Sequence, residues 1–263
     1  MSSADNNQSI LEEARREIDA LDEGLLNLLE KRFDCVARVR AAKGGNGQGT
    51  PVRPEREAFI LRRLLARAVQ GSVPPDLVVR LWRAIMAEAS LAQAPITLHV
   101  SRRFAQTAGN RLRLRDYFGT MAVEDYRDEA QALYQIEANP TDLCVVETEA
   151  PWVEPFLEGK AGRAQVIAVL PFLKTEAMPR LLVLGHARAV ATGEDETLII
   201  SDGKLPRDFT PAPRWEAKVG PRRLSSLPGF LSEHESPLVS LMRSNPGLHL
   251  RVAGRYPSPF EVV

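Results

Sequence analysis

From Ser9 to Lys43 the chain carries apolar residues at Leu11, Ile18, Leu21, Leu25, Leu28, Leu29, Val36 and Val39, with no proline between them. The mostly three-and-four spacing predicts one amphipathic helix. At 1.5 Å per residue it would be about 50 Å long, well beyond a typical globular helix. Gly24 is its single weak point. Two shorter helical patterns follow: Pro54 to Val69, opened by Pro54 and the acids Glu55 and Glu57, and a third that begins after GSVPP (71–75) and stops before Pro95. Pro and acids suit the first turn of a helix, where the free N–H groups and the dipole are positive. Neither short helix is long enough to cover the first. A second copy of the chain is, so the pattern points to an intertwined dimer.

Near residue 95 the period changes. ITLHV (96–100), DLCVVE (142–147), AQVIAVL (164–170), RLLVLGH (180–186), ETLIIS (196–201) and LHLRVAGRY (248–256) are expected as strands. Residues 127–138 and 236–244 are expected as helices, and the Pro- and charge-rich stretch from Asp202 to Pro228 as an irregular connection. The expected organisation is a helical domain over 1–94 and a smaller α/β (α+β) domain over 95–263.

Composition removes several classes of function. Lys plus Arg and Asp plus Glu each number 34, so no net basic field points to nucleic acid. Two cysteines, Cys35 and Cys144, make neither a disulfide framework nor a zinc site alone, and the four histidines show no metal-ligand spacing. The N-terminal residues show no apolar leader, and no run reaches the roughly 20 apolar residues of a membrane helix. A cytoplasmic location, with no membrane and no nucleic-acid partner, is the expectation.

What remains is a set of cations. On the first helix Arg32 and Lys43 are eleven residues apart and share a face, while Arg15 points elsewhere. In a dimer Arg15 can complete the other copy's site. Arg56 and Glu57 open the second helix, and Gln93 follows the third. Taken singly, cations on a long helix are ordinary solvated surface. Together, three Arg, a Lys, a Glu and a Gln suit a small dianion bearing a hydroxyl. Arg grips carboxylates bidentately, Lys and Gln donate to an oxygen gaining charge, and Glu accepts from a hydroxyl.

Residues 9–94 resemble the all-helical chorismate mutases. ARREIDALDEGLLNLLEKRFDCVARVRAA with Lys43 resembles that family's first helix, PVRPERE its second-helix opening, and IMAEASLAQ (85–93) its final motif, which closes on a Gln. The resemblance implies an all-α, three-helix, intertwined-dimer domain. It also implies conversion of chorismate to prephenate by a Claisen rearrangement that needs no cofactor, in aromatic amino acid biosynthesis. It assigns Arg32 and the partner copy's Arg15 to the two carboxylates. Lys43 and Gln93 donate to the ether oxygen, Glu57 accepts from the ring hydroxyl, and Arg56 supports a carboxylate or orders Glu57. Two positions depart from the family pattern: Arg53 stands where some members have an acid, and Ala89 where a small hydroxyl is common.

The second half is similar to a shortened, degenerate prephenate dehydratase, as in the bifunctional mutase–dehydratases. DLCVVETE (142–149), PRLLVLG (179–185) and GEDETLIIS (193–201) carry that likeness. The family's glycine-rich opening motif is replaced by SRRFAQTAG, and its Thr-Arg-Phe motif by Pro179-Arg180-Leu181. The expectation is a domain without dehydratase activity. The competing expectation is a non-catalytic dimeric sensor or partner protein of the same pathway.

Overall fold

The computed structural model describes residues 3–42, 50–174 and 180–261. They fall into two compact units, Met1–Gly47 and Gln48–Val263.

The first unit is one helix, α1 (Ser3–Ala42). It begins earlier than the apolar pattern suggests, because Ser3 to Gln8 hold no proline or glycine that would stop a turn from propagating. Ile10, Leu11, Ile18, Leu21, Leu25, Leu26, Leu28 and Val39 are all exposed along it.

The second unit opens with α2 (Pro54–Ala68) and α3 (Pro75–Leu91), each with Pro in its first turn. Leu65 of α2 and Val78 and Val79 of α3 are buried together with Leu173, a residue following the fourth strand. The α/β part is not the smaller one. Its strands are β1 (Thr97–Ser101), β2 (Ala122–Tyr126), β3 (Leu143–Glu147), β4 (Gln165–Leu170), β5 (Leu181–Gly185), β6 (Asp195–Ser201), β7 (Trp215–Val219), β8 (Arg222–Pro228) and β9 (Leu250–Pro257). Its helices are α4 (Arg102–Gln106), α5 (Asn110–Phe118), α6 (Glu129–Ala138), α7 (Val153–Leu157) and α8 (Leu238–Ser244).

Among the described residues these strands form one nine-stranded sheet in the order β2-β1-β3-β5-β4-β9-β6-β8-β7. β1 is parallel to both neighbours, and β4 is parallel to β9, while the other pairs are antiparallel. Among the described residues the sheet's two halves join where β4 meets β9, with Val166 facing Gly254, and again just beyond those strands, where Leu173 bridges Phe260. Alternation along the strands sends side chains to two cores. One gathers Leu133, Ile136, Trp152, Val166, Leu184 and Tyr256; the other gathers Leu98, Val100, Phe104, Phe118, Val145 and Val183.

The expected strands and the helices near 127–138 and 236–244 are present, with ends shifted by up to two residues. The stretch from Asp202 to Pro228 is not an irregular connection: it contains the β7–β8 hairpin at the sheet edge. Trp215, Ala217 and Val219 face inward while Glu216 and Lys218 face out, a period-two pattern whose short length and flanking prolines hide it. The turn is Gly220-Pro221, with Gly220 at φ +58°, a conformation that favours glycine.

Candidate active site

Arg15 is exposed on α1 and Arg32 is half-buried. Because the helix is continuous, the two are fixed about 100° apart around its axis. Lys43 lies outside the described residues.

At the opening of α2, Arg53 is the N-cap residue and Pro54 fills the first helical position, so no amide proton is wasted there. Glu57 donates its backbone N–H to the Arg53 carbonyl at 2.9 Å, which fixes the first turn. Arg56 points to solvent, its guanidinium 5.3 Å from the centre of the Phe59 ring. Glu57, one residue on, turns inward, and its side chain is only 14% exposed.

A carboxylate so enclosed needs a partner. It has one in Arg83 of α3, whose Nη1 donates to Glu57 Oε2. Arg83 was not singled out from the sequence. It lies 26 residues from Glu57, and nothing local marks it among the other arginines. A cavity of about 30 Å³ is lined by Val52, Pro54, Glu57, Ala58, Arg83 and Tyr117 among others, room for about two waters.

Gln93 follows the last turn of α3. Its Nε2 donates to the Ala89 carbonyl at 3.0 Å, folding the amide back over the helix end. Ala89 and Ser90 are both buried. The second unit thus carries Arg56 and Glu57 side by side on α2, with Glu57 tied to α3, and Gln93 at the far end of α3.

Trp152, Trp215 and Tyr256 are buried. Tyr256 Oη donates to Glu196 Oε2 at 3.1 Å and shares a 2.6 Å hydrogen bond with Ser226. Burial first, then the Glu196 charge, holds its phenol well above the ordinary value of 10.0. Among the described residues no group of three or more His, Cys, Asp and Glu is arranged to hold a metal, and no helix is long and apolar enough to cross a membrane.

Two solved structures overlap the chain loosely. One is described as GqqA, a novel type of quorum quenching acylase (TM-score 0.41, 12% identity, 62% of this chain and 95% of that one). The other is prephenate dehydratase from Streptococcus mutans (TM-score 0.37, 13% identity, 64% of this chain and 100% of that one). Overlaps this loose carry no argument about fold or chemistry. By sequence the chain is 33% identical over 156 residues to a bifunctional chorismate mutase/prephenate dehydratase of Neisseria gonorrhoeae, covering 57% of this chain and 38% of that one. It is 42% identical over 74 residues to the T-protein of Enterobacter agglomerans, covering 28% of this chain and 20% of that one. It therefore spans well under half the length of these curated relatives. Residues 14–94 match the family model of chorismate mutase type II, and that segment carries the family's sequence.

Proposed function

We propose that the chain converts chorismate to prephenate. The observation that carries this reading is the family match over residues 14–94, within which every cation, acid and amide of the expected set falls. The reaction breaks an ether C–O bond and forms a C–C bond within one molecule. No proton or electron leaves, so the protein's task is to hold the compact conformer and stabilise charge on the departing oxygen. In this reading Arg32, with Arg15 of the second copy, grips the two carboxylates. Lys43 and Gln93 donate to the ether oxygen. Glu57 accepts from the ring hydroxyl, and Arg56 supports a carboxylate or orders Glu57. The uncovered leucines and isoleucines of α1 support the homodimer that this sharing requires, since an apolar stripe that long in water favours a partner. The α/β part is proposed to lack dehydratase activity.

The test is loss of chorismate by purified full-length protein, followed by ultraviolet absorbance, with prephenate and its acid-converted product read separately. We expect prephenate that persists, and a fall of about two or more orders of magnitude in kcat/KM for Arg32→Ala. Phenylpyruvate formed at neutral pH would restore dehydratase activity to the α/β part. Untouched chorismate would refute the mutase reading and favour a pathway sensor.

A further inference from the structure

The Glu57–Arg83 contact continues beyond the helical segment. Arg83 Nε donates to the Tyr117 carbonyl at 3.2 Å. Its guanidinium also lies 5.7 Å from the ring centres of both Tyr117 and Phe118, on α5. Tyr117 is anchored in turn, because the Phe172 N–H, just after β4, donates to its Oη at 2.7 Å. Burial raises the Tyr117 phenol above 10.0, so this oxygen stays neutral and in place. Phe118 is 3% exposed and the Arg83 side chain 12%. Tyr117, Phe118 and Phe172 all lie outside residues 14–94, the segment that carries the mutase family's sequence.

We propose that Arg83 is a positioning residue for Glu57, held by α5 and the segment after β4, so that the α/β part of the chain sets the orientation of an acceptor in the helical site. The proposal rests on the mutase reading and goes beyond it by giving the α/β part a role in the same reaction. Glu57 is a mostly buried carboxylate whose side chain would otherwise sample several rotamers. A guanidinium is planar and rigid, and this one is fixed by a backbone carbonyl and two ring faces. Its fork presents Nη1 in one direction only, and Glu57 Oε2 lies there. Among the described residues no hydrogen bond engages Glu57 Oε1, which leaves that oxygen to accept from a substrate hydroxyl. Arg83 touches no reacting atom in this scheme and acts through Glu57 alone.

The experiment is a double-mutant cycle on the full chain, comparing wild type, Arg83→Gln, Glu57→Gln and the double variant, with kcat and KM for chorismate measured separately. Arg83→Gln is expected to lower kcat by about 10–100-fold, the scale of a misplaced catalytic group, with KM changed by less than about threefold. The double variant is expected to be no slower than Glu57→Gln, because the two residues act as one unit. Arg83→Lys retains the buried charge but loses the fork to Tyr117, and is expected to fall between wild type and Arg83→Gln. It is also the variant that decides if Arg83→Gln does not fold, by circular dichroism and melting. In that case a threefold or larger loss of kcat in Arg83→Lys that disappears on the Glu57→Gln background supports the proposal. Arg83 variants within twofold of wild type, or losses that multiply with that of Glu57→Gln, overturn it. An inactive wild type would instead overturn the mutase reading, and this proposal with it.

Discussion

Gly254 is the β9 residue that lies against β4 where the two halves of the sheet meet, and replacing it with alanine is expected to weaken the whole second unit. A Cβ built there would lie 2.0 Å from the Val166 carbonyl oxygen, 2.6 Å from its nitrogen and 2.7 Å from its carbonyl carbon. All three are backbone atoms, so no side-chain rotation relieves the clash. Gly254 does not sit at positive φ, and alanine meets no backbone strain there; the effect is steric. To bring the shortest contact to 3.0 Å the strands must part by about 1 Å, against a normal spacing of about 4.8 Å. This stretches the pairing of β4 with β9, which has a single register point, Val166 with Gly254. It also opens the core around Val166, Leu198 and Ala253, each fully buried. Overpacking of about 1–3 kcal/mol and a weakened hydrogen bond of about 1 kcal/mol together give about 3 kcal/mol. For a unit of this size that is a fall in Tm of about 6–12 °C. Gly247→Ala, with nothing within 4 Å of its added methyl, is the control and is expected within about 1 °C of wild type. At Gly185 the nearest atom is a Leu143 methyl at 2.7 Å, which can turn aside, so Gly185→Ala is expected to fall between the two. The assay is thermal unfolding by far-ultraviolet circular dichroism. If Gly254→Ala melts within about 2 °C of wild type, the seam is not a tight junction.

Two further variants probe how the second unit is held together. Arg62 of α2 donates to Thr192 Oγ1 at 2.9 Å and to the Ser258 carbonyl at 3.0 Å, and pairs with Glu194 at 3.3 Å. Arg62→Ala is therefore expected to cost about 2–3 kcal/mol in urea unfolding, and a change under about 0.5 kcal/mol would refute that anchoring. Tyr256→Phe is expected to cost about 1–2 kcal/mol at neutral pH, by removing a donor to Glu196. The Tyr256 phenol is raised in the folded state, so its stabilisation is complete below its ordinary value of 10.0 and is lost as pH rises beyond that, where the unfolded chain ionises first. The gap between wild type and Tyr256→Phe should then narrow above about pH 10; a gap that stays constant to pH 11 would refute the assignment.

Periodicity is a local property, and what it governs was legible in the residues. The long α1, the Pro-opened α2 and α3, and strands such as β4 and β6 follow from spacing within a dozen residues. The motifs that resemble chorismate mutases are local in the same sense. β2 was not legible, because this edge strand is mostly exposed and AVEDY has no buried alternation to betray it. β7 was hidden by its short length and the prolines that flank it, and β8 by its arginines and serines. α5 was hidden too, because Arg111-Leu112-Arg113-Leu114-Arg115 alternates with the period of a strand and not of a helix. Glu57 could be named as a candidate from its place after Pro54. Its partner could not, since Arg83 reaches it from another helix and Tyr117 holds Arg83 from 34 residues further on. The order of nine strands, the glycine at their seam and the α5 support behind Glu57 are contacts between distant segments. Only the folded chain decides them, because a pairing energy exists only once both partners are in place.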